Sequence, residues 1–207
     1  MTLPYQPEFW MLCLLAYLLG SIPWGLVIGR WFSGEDIRLK GSGNIGATNV
    51  HRIVGWGPGL LTLFADTAKG ALAVWVGIIS TDSGTGNPDL LLGFLSLAAV
   101  LGHLFSCFLK FKGGKGIATT AGCFLVISPG AVALSLLVFL VVAFAMKRIS
   151  PGSLAGAASL PVAVWWLNHS LNLSISAWII AVLIFYRHKD NIRRLLAGTE
   201  PVWKRKK

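Results

Sequence analysis

Residues 9–32 read FWMLCLLAYLLGSIPWGLVIGRWF, and Arg30 is the only charge among these twenty-four positions. A bilayer core offers no water to backbone N–H and C=O groups, so a chain crosses it as a helix that satisfies them internally, and about 20 apolar residues suffice. The run meets that requirement and predicts a membrane helix. Pro23 removes one backbone hydrogen bond in its second half, so a kink is expected there, and Gly20, Ser21 and Gly25 leave room for a neighbouring helix. Residues 1–8 lack the basic n-region of a signal peptide, so the run is expected to stay in the mature protein.

The rest of the chain repeats this pattern. Of 207 residues, 55% are hydrophobic and 13% charged, and the mean hydropathy is +0.69, too apolar for a soluble domain. A second span is expected over 60–79 after the turn Gly55-Trp56-Gly57-Pro58-Gly59, and a third over 89–108 after a polar turn at 81–88. The apolar run 117–146 would be about 45 Å long as one helix, against a core of roughly 30 Å, so it must be two pieces. Ser128-Pro129-Gly130 is the expected break, and residues 168–172 divide the run 154–186 in the same way. Cys13, Cys107 and Cys123 share no CxxC spacing, and the four histidines have no matching carboxylate cluster, so neither a disulfide framework nor a metal site is expected.

Charge placement orients these spans, because Lys and Arg collect in short loops on the cytoplasmic side. Seven spans with the N-terminus outside put four cations in residues 30–52, three in 110–115, two at Lys147 and Arg148 and eight in 187–207 on that side, which is 17 of the 18. The expectation is therefore one all-α, polytopic integral membrane domain over residues 1–207. It has seven transmembrane helices, an outside N-terminus, and a cytoplasmic C-terminus with a basic tail from about 187 to 207. A net charge of +10 would suggest nucleic acid in a soluble protein; here it follows membrane topology, and no nucleic-acid partner is expected. Residues 204–207 suit anchoring to anionic lipid. Lys69 alone lies within a span, three residues after Asp66, so the two share a helix face and neutralise each other. A structural pair and a substrate contact both remain open for them.

The candidate chemistry falls on the cytoplasmic side. Residues 41–49, Gly-Ser-Gly-Asn-Ile-Gly-Ala-Thr-Asn, followed by His51 and Arg52, can aim several backbone N–H groups at one anion, with Arg38, Lys40 and Arg52 deepening the site. A plain polar loop has the same composition. Residues 110–116, Lys-Phe-Lys-Gly-Gly-Lys-Gly, repeat this chemistry, and two such loops suggest two phosphates or one held from two sides. His188 and Asn191, at i and i+3 among Arg187, Lys189 and Arg193, could together face a polyol phosphate. Gly41, Gly43 and Gly46 match a dinucleotide fingerprint, but they follow a membrane helix rather than a strand. Lys115 and Gly116 lack the first glycine and the Ser/Thr of a Walker loop.

Taken together, Gly20-Ser21-Ile22-Pro23, the 41–49 run with Arg52, Asp66-Thr67-Ala68-Lys69-Gly70, Gly102-His103, Phe111-Lys112-Gly113-Gly114-Lys115-Gly116 with Thr119, and His188-Lys189-Asp190-Asn191-Ile192 resemble the bacterial acyl-phosphate glycerol-3-phosphate acyltransferases. The resemblance spans nearly the whole chain. It implies a seven-span enzyme of the bacterial inner membrane with a cytoplasmic active site. Its reaction moves a fatty acyl group from acyl phosphate to the 1-hydroxyl of glycerol 3-phosphate, giving lysophosphatidic acid and phosphate, without a cofactor. By the same resemblance Ser42, Gly43, Asn44, Thr48 and Gly114 would hold the acyl phosphate, Ser150, His188 and Asn191 would place glycerol 3-phosphate with Lys115 and Arg52 neutralising its phosphate, and Lys115, Arg52, His188 and Asn191 would be the catalytic residues.

The residues are compatible with that chemistry. An acyl phosphate is already activated, so the protein has chiefly to hold two anions together and stabilise the developing oxyanion. The HxxxxD pair of other glycerol-phosphate acyltransferases is missing: Trp56, Phe108, Ser174 and Arg193 stand five positions after the four histidines. Direct attack without an acyl-enzyme is expected. An organic-phosphate transporter is the rival reading, since it too would use glycine breaks, basic loops and an intramembrane ion pair, but it should line both sides of the membrane with polar residues.

Overall fold

Helices end at Pro23 and Pro129, where proline interrupts the apolar runs, whereas Pro161 is carried inside the helix over 149–168. The structure is a computed structural model that describes residues 7–81 and 87–203, and among these there are ten α-helices and no strand. Helix α1 (Pro7–Ser21) stops before Pro23, and α2 (Trp24–Ser33) resumes after it. Then come α3 (Ala47–Ile53), α4 (Trp56–Thr81) and α5 (Pro88–Leu104). Helix α6 (Ile117–Ile127) and α7 (Pro129–Met146) meet at the expected Ser128 break, and α8 (Ile149–Asn168) and α9 (Leu171–Arg187) at His169, whose φ of 51° turns the chain. The turn expected over 81–88 falls mostly outside the described residues, as do residues 1–6 and the four basic positions 204–207.

Two segments differ from expectation. The second half of the first glycine run is not loop: α3 takes up residues 47–53, and a 3-10 turn, Ile37–Leu39, precedes it. The basic tail begins with a helix, α10 (Lys189–Leu196), bent 61° from α9.

The seven apolar segments are each helical. Four of them, Pro7–Ser33, Trp56–Ser80, Pro88–Leu109 and Pro129–Met146, are long and apolar enough to cross a membrane alone, and α9 with α10 counts as a fifth only if the bent pair is one span. Helix α6, with 11 residues, is about 16 Å long and falls short of a core of roughly 30 Å. Trp10, Leu14, Phe64, Trp75, Leu137, Phe144 and Val182 are exposed along the helices, a surface suited to lipid rather than water.

The chain divides into two compact units, residues 1–127 and 128–207. In the first, α1 packs on α5 and α4 on α6. Both crossings rest on reciprocal glycines. A Cβ on Gly20 would meet the Ala99 carbonyl and one on Gly102 the Tyr17 carbonyl; Gly70 and Gly122 stand in the same relation to Thr119 and Thr67. Backbones that approach so closely gain dispersion contacts, which in lipid replace the missing hydrophobic drive. In the second unit α8 packs between α7 and α9, with Gly152 against Phe139 and Ala143 of α7.

Candidate active site

The first glycine run is built around Asn49. Its carboxamide is buried; Nδ2 donates to the carbonyls of Asn44 (2.8 Å), Ile37 (3.1 Å) and Lys40 (3.3 Å), while Oδ1 accepts the Ser42 N–H at 2.9 Å. One side chain thus satisfies four backbone groups that a loop would otherwise leave to water. Gly41 must be glycine for this clasp, since its φ is 61° and a Cβ would overlap Asn49 Oδ1. The Gly46 N–H goes to Asn44 Oδ1 at 2.9 Å, so what Asn44 can offer a ligand is its Nδ2 donor. Ile45 and Val50 anchor the loop below, in a cluster with Leu26, Ile37 and Leu109. Ser42, Gly43, Thr48 and Arg52 stay exposed above it.

The charges around this loop are redistributed relative to the sequence reading. Arg38 binds Asp36 through Nε at 2.9 Å and Nη2 at 2.5 Å, Arg30 adds a contact at 3.1 Å, and Lys40 pairs with Glu35 at 2.6 Å. Hydrogen bonding from the Arg38 side chain holds the Asp36 carboxyl well below the usual carboxylate range. Arg38 and Lys40 are thus spent on neighbouring acids, and Arg52 is in no ion pair among the described residues.

The second glycine loop folds back on the end of α5. Gly113 N–H donates to the Leu104 carbonyl at 3.1 Å and Gly114 N–H to the His103 carbonyl at 2.9 Å. A Cβ at Gly113 would strike those two carbonyl oxygens, and one at Gly114 would enter the His103 ring. These glycines therefore serve close approach, and their N–H groups hold the loop down. Lys110 and Phe111 take positive φ values of 51° and 61°, a strained pair that turns the chain into it. Lys115 and Gly116 then lead directly into α6, whose first-turn N–H groups and positive dipole end suit an anion.

The second unit holds a different cluster, centred on a residue that the sequence reading did not single out. Glu200 is buried in the tail. Its Oε1 accepts from Ser150 Oγ and from Asn191 Nδ2 at 2.6 Å, and its Oε2 accepts from Arg194 Nε at 2.7 Å. Arg148 Nε reaches its backbone carbonyl at 2.9 Å, and Trp203 N–H bonds the Lys147 carbonyl at 3.0 Å, strapping the tail to the α7–α8 junction. Burial pushes the Glu200 carboxyl up, but hydrogen bonds from Ser150, Asn191 and Arg194, with the Arg194 charge, outweigh it and hold the group below its ordinary value. His188 caps the junction of α9 and α10, with Nδ1 2.8 Å from the Ile184 carbonyl. A carbonyl only accepts, so Nδ1 carries the hydrogen and Nε2 is the basic nitrogen of the neutral ring.

Residues 10–198 match the family model described as glycerol-3-phosphate acyltransferase. The chain belongs to that family. Among curated relatives, the glycerol-3-phosphate acyltransferase of Syntrophotalea carbinolica is 43% identical over 93% of this chain and 96% of its own, and that of Desulfotalea psychrophila 45% identical over 93% and 97%. The crystal structure of PlsY, an integral membrane glycerol 3-phosphate acyltransferase, in its glycerol 3-phosphate form superposes with a TM-score of 0.88 at 38% identity, covering 95% of this chain and 96% of that one. Its lysophosphatidic acid form gives 0.84 at 37%, with the same coverage. This member of the acyltransferase family is accordingly an integral membrane protein. Within its first unit the first glycine loop carries Ser42, Gly43 and Asn44, α3 carries Thr48 and Arg52, and the second loop carries Gly114 and Lys115; within its second, Ser150 and Asn191 share one carboxylate oxygen of Glu200 and His188 sits one helical turn before Asn191. Glu200 had a signal in the sequence, since it is the one acid after Asp190 in a tail of eight cations.

Proposed function

We propose that this protein transfers a fatty acyl group from acyl phosphate to the 1-hydroxyl of glycerol 3-phosphate, releasing phosphate and lysophosphatidic acid. The observation that carries the reading is the likeness to PlsY solved with glycerol 3-phosphate and with lysophosphatidic acid, the acceptor and the product of one acyl transfer. The setting is the bacterial inner membrane, crossed seven times with the N-terminus outside and the C-terminus in the cytoplasm, where 17 of the 18 Lys and Arg residues then lie.

In this reading Ser42, Gly43, Asn44 and Thr48 hold the acyl phosphate headgroup, with Gly114 seating the loop that presents Lys115. Lys115, at the start of α6, and Arg52, on α3, offset phosphate charge. Ser150, His188 and Asn191 bind glycerol 3-phosphate. Ser150 gives its hydrogen to Glu200, so its oxygen is left to accept from a substrate hydroxyl. The acceptor oxygen attacks the acyl carbonyl carbon directly, the oxyanion collapses, the carbon–oxygen bond to phosphate breaks and phosphate leaves. The hydroxyl proton passes to a phosphate oxygen of the substrate or to His188 Nε2, and near-normal turnover of His188→Ala at saturating glycerol 3-phosphate would rule out the second. Purified protein in detergent, given an acyl phosphate and glycerol 3-phosphate, should release phosphate. No release, with acyl-CoA inactive as well, overturns the assignment, and a covalent acyl-protein after single turnover overturns direct attack.

A further inference from the structure

The mechanism leaves a buried charged group unused. Asp66, Lys69 and His103 are 2%, 4% and 4% exposed, within the helical body of the first unit. Lys69 Nζ lies 2.9 Å from Asp66 Oδ1 and donates to the Ile22 carbonyl at 2.8 Å, in the break between α1 and α2. His103 Nδ1 lies 3.6 Å from the same Asp66 oxygen. Isolated charges at this depth are costly, and a pair that served the fold alone is often replaceable by apolar residues. The far edge of the imidazole shows what else it does: a Cβ on Gly114 would overlap His103 Nε2, with Cε1 at 2.9 Å and Cδ2 at 3.1 Å. The ring spans the distance from Asp66 to the underside of the second glycine loop. The same residue's carbonyl accepts the Gly114 N–H, so the loop rests on His103 through backbone and side chain. On the other side of Lys115, α6 is pressed against α4 at Gly70, in the turn that carries Asp66 and Lys69.

We infer that His103 is a positioning residue for Lys115: it forms the floor of the second glycine loop, and Asp66, held by Lys69 and the α1–α2 break, fixes that floor. The Asp66–Lys69 pair then touches no substrate. It locks three elements beneath the phosphate-binding lysine. Such a lock acts on catalysis through geometry, and a 1 Å misplacement of a positioned group can cost up to about 100-fold. The inference rests on the second loop taking part in the proposed acyl transfer.

The test is a cycle of His103→Ala, Gly114→Ala and the double variant, with KM and kcat for both substrates and monodispersity in detergent as the folding check. His103→Ala should raise KM for glycerol 3-phosphate at least about 10-fold while kcat changes less, because Lys115 moves relative to a charge that it meets before and during reaction. In the double variant the new methyl enters the space the ring vacated, so its KM should lie well below the product of the two single effects. Unchanged KM values in His103→Ala, a fall in kcat alone, or strictly multiplicative single effects would each overturn the inference. If His103→Ala is not recovered folded, His103→Gln, which keeps a polar chain toward Asp66, takes its place under the same criteria. Absence of activity in the unmodified enzyme would instead overturn the acyltransferase reading, and this inference with it.

Discussion

Glu200→Gln isolates the charge of the tail cluster with little change of shape. The carboxylate accepts from Ser150, Asn191 and Arg194 and is 6% exposed, so every lone pair that it offers is committed or sheltered. A carboxamide replaces one acceptor oxygen by an NH2 group, which must then face either Arg194 Nε or the Ser150 and Asn191 donors. A buried hydrogen bond to a charged group contributes about 1.5–3 kcal/mol, and Arg194 is partly exposed, so a net loss of roughly 2 kcal/mol is expected. That corresponds to about a 30-fold shift in the equilibrium that keeps the tail docked. The pH dependence has a definite sign. The folded carboxyl titrates below its unfolded value, so its contribution is complete above the ordinary glutamate value of about 4.3 and is lost as pH falls from there through the folded value. Thermal unfolding in detergent between about pH 7 and pH 3 should show an acid-side fall for the unmodified protein, and for Glu200→Gln a lower midpoint at pH 7 with a flatter acid limb. KM for glycerol 3-phosphate should rise, since Ser150 and Asn191 lose their common anchor. Equal midpoints at pH 7 with the same acid slope would refute the reasoning.

Three further perturbations follow from the geometry. Lys115→Ala should lower kcat/KM at least about 100-fold, as expected for loss of a strong electrostatic stabiliser, and wild-type kinetics would remove Lys115 from the site. Asn49→Asp turns a donor shared by three carbonyls into an acceptor facing them; with about 1–3 kcal/mol per unmet buried group, limited proteolysis should cut the residue 40–46 segment faster and activity should fall. Gly122→Ala forces a Cβ onto the Thr67 carbonyl and should lower the thermal midpoint, whereas Gly130→Ala meets only the flexible tip of Leu167 at 3.1 Å and should change it little; equal effects would contradict the close-crossing account.

Much of the architecture was legible because membrane insertion imposes simple rules. Pro23, Ser128 before Pro129 and the turn at His169 mark real helix breaks, since a missing N–H and a positive φ act on the local backbone, although α8 accommodates Pro161 in its interior. The tail and the first loop read less well. Composition marked residues 41–49 as glycine-rich and residues 187–207 as basic, but α3 and α10 lie within or beside them because Val50 and Asn191 find burial that no local pattern announces. Likewise the cation count around the first loop overstated its charge, since the pairing of Arg38 with Asp36 and of Lys40 with Glu35 is a matter of geometry.

What the sequence by itself determined is the membrane-embedded helical class, the places where the helices break, the two glycine loops and the family resemblance. These follow from hydropathy, from backbone chemistry that acts over a few residues, and from motif order. Only the tertiary structure decided that Gly113 and Gly114 spend their N–H groups on α5, that Asn49 clasps the first loop, that Glu200 gathers Ser150 and Asn191, and that the His103 ring lies against Gly114. Each of these joins residues distant in sequence or directs a donor toward one of several acceptors within reach. Such choices depend on which backbones approach closely enough to exclude water, and that is a property of the packed chain.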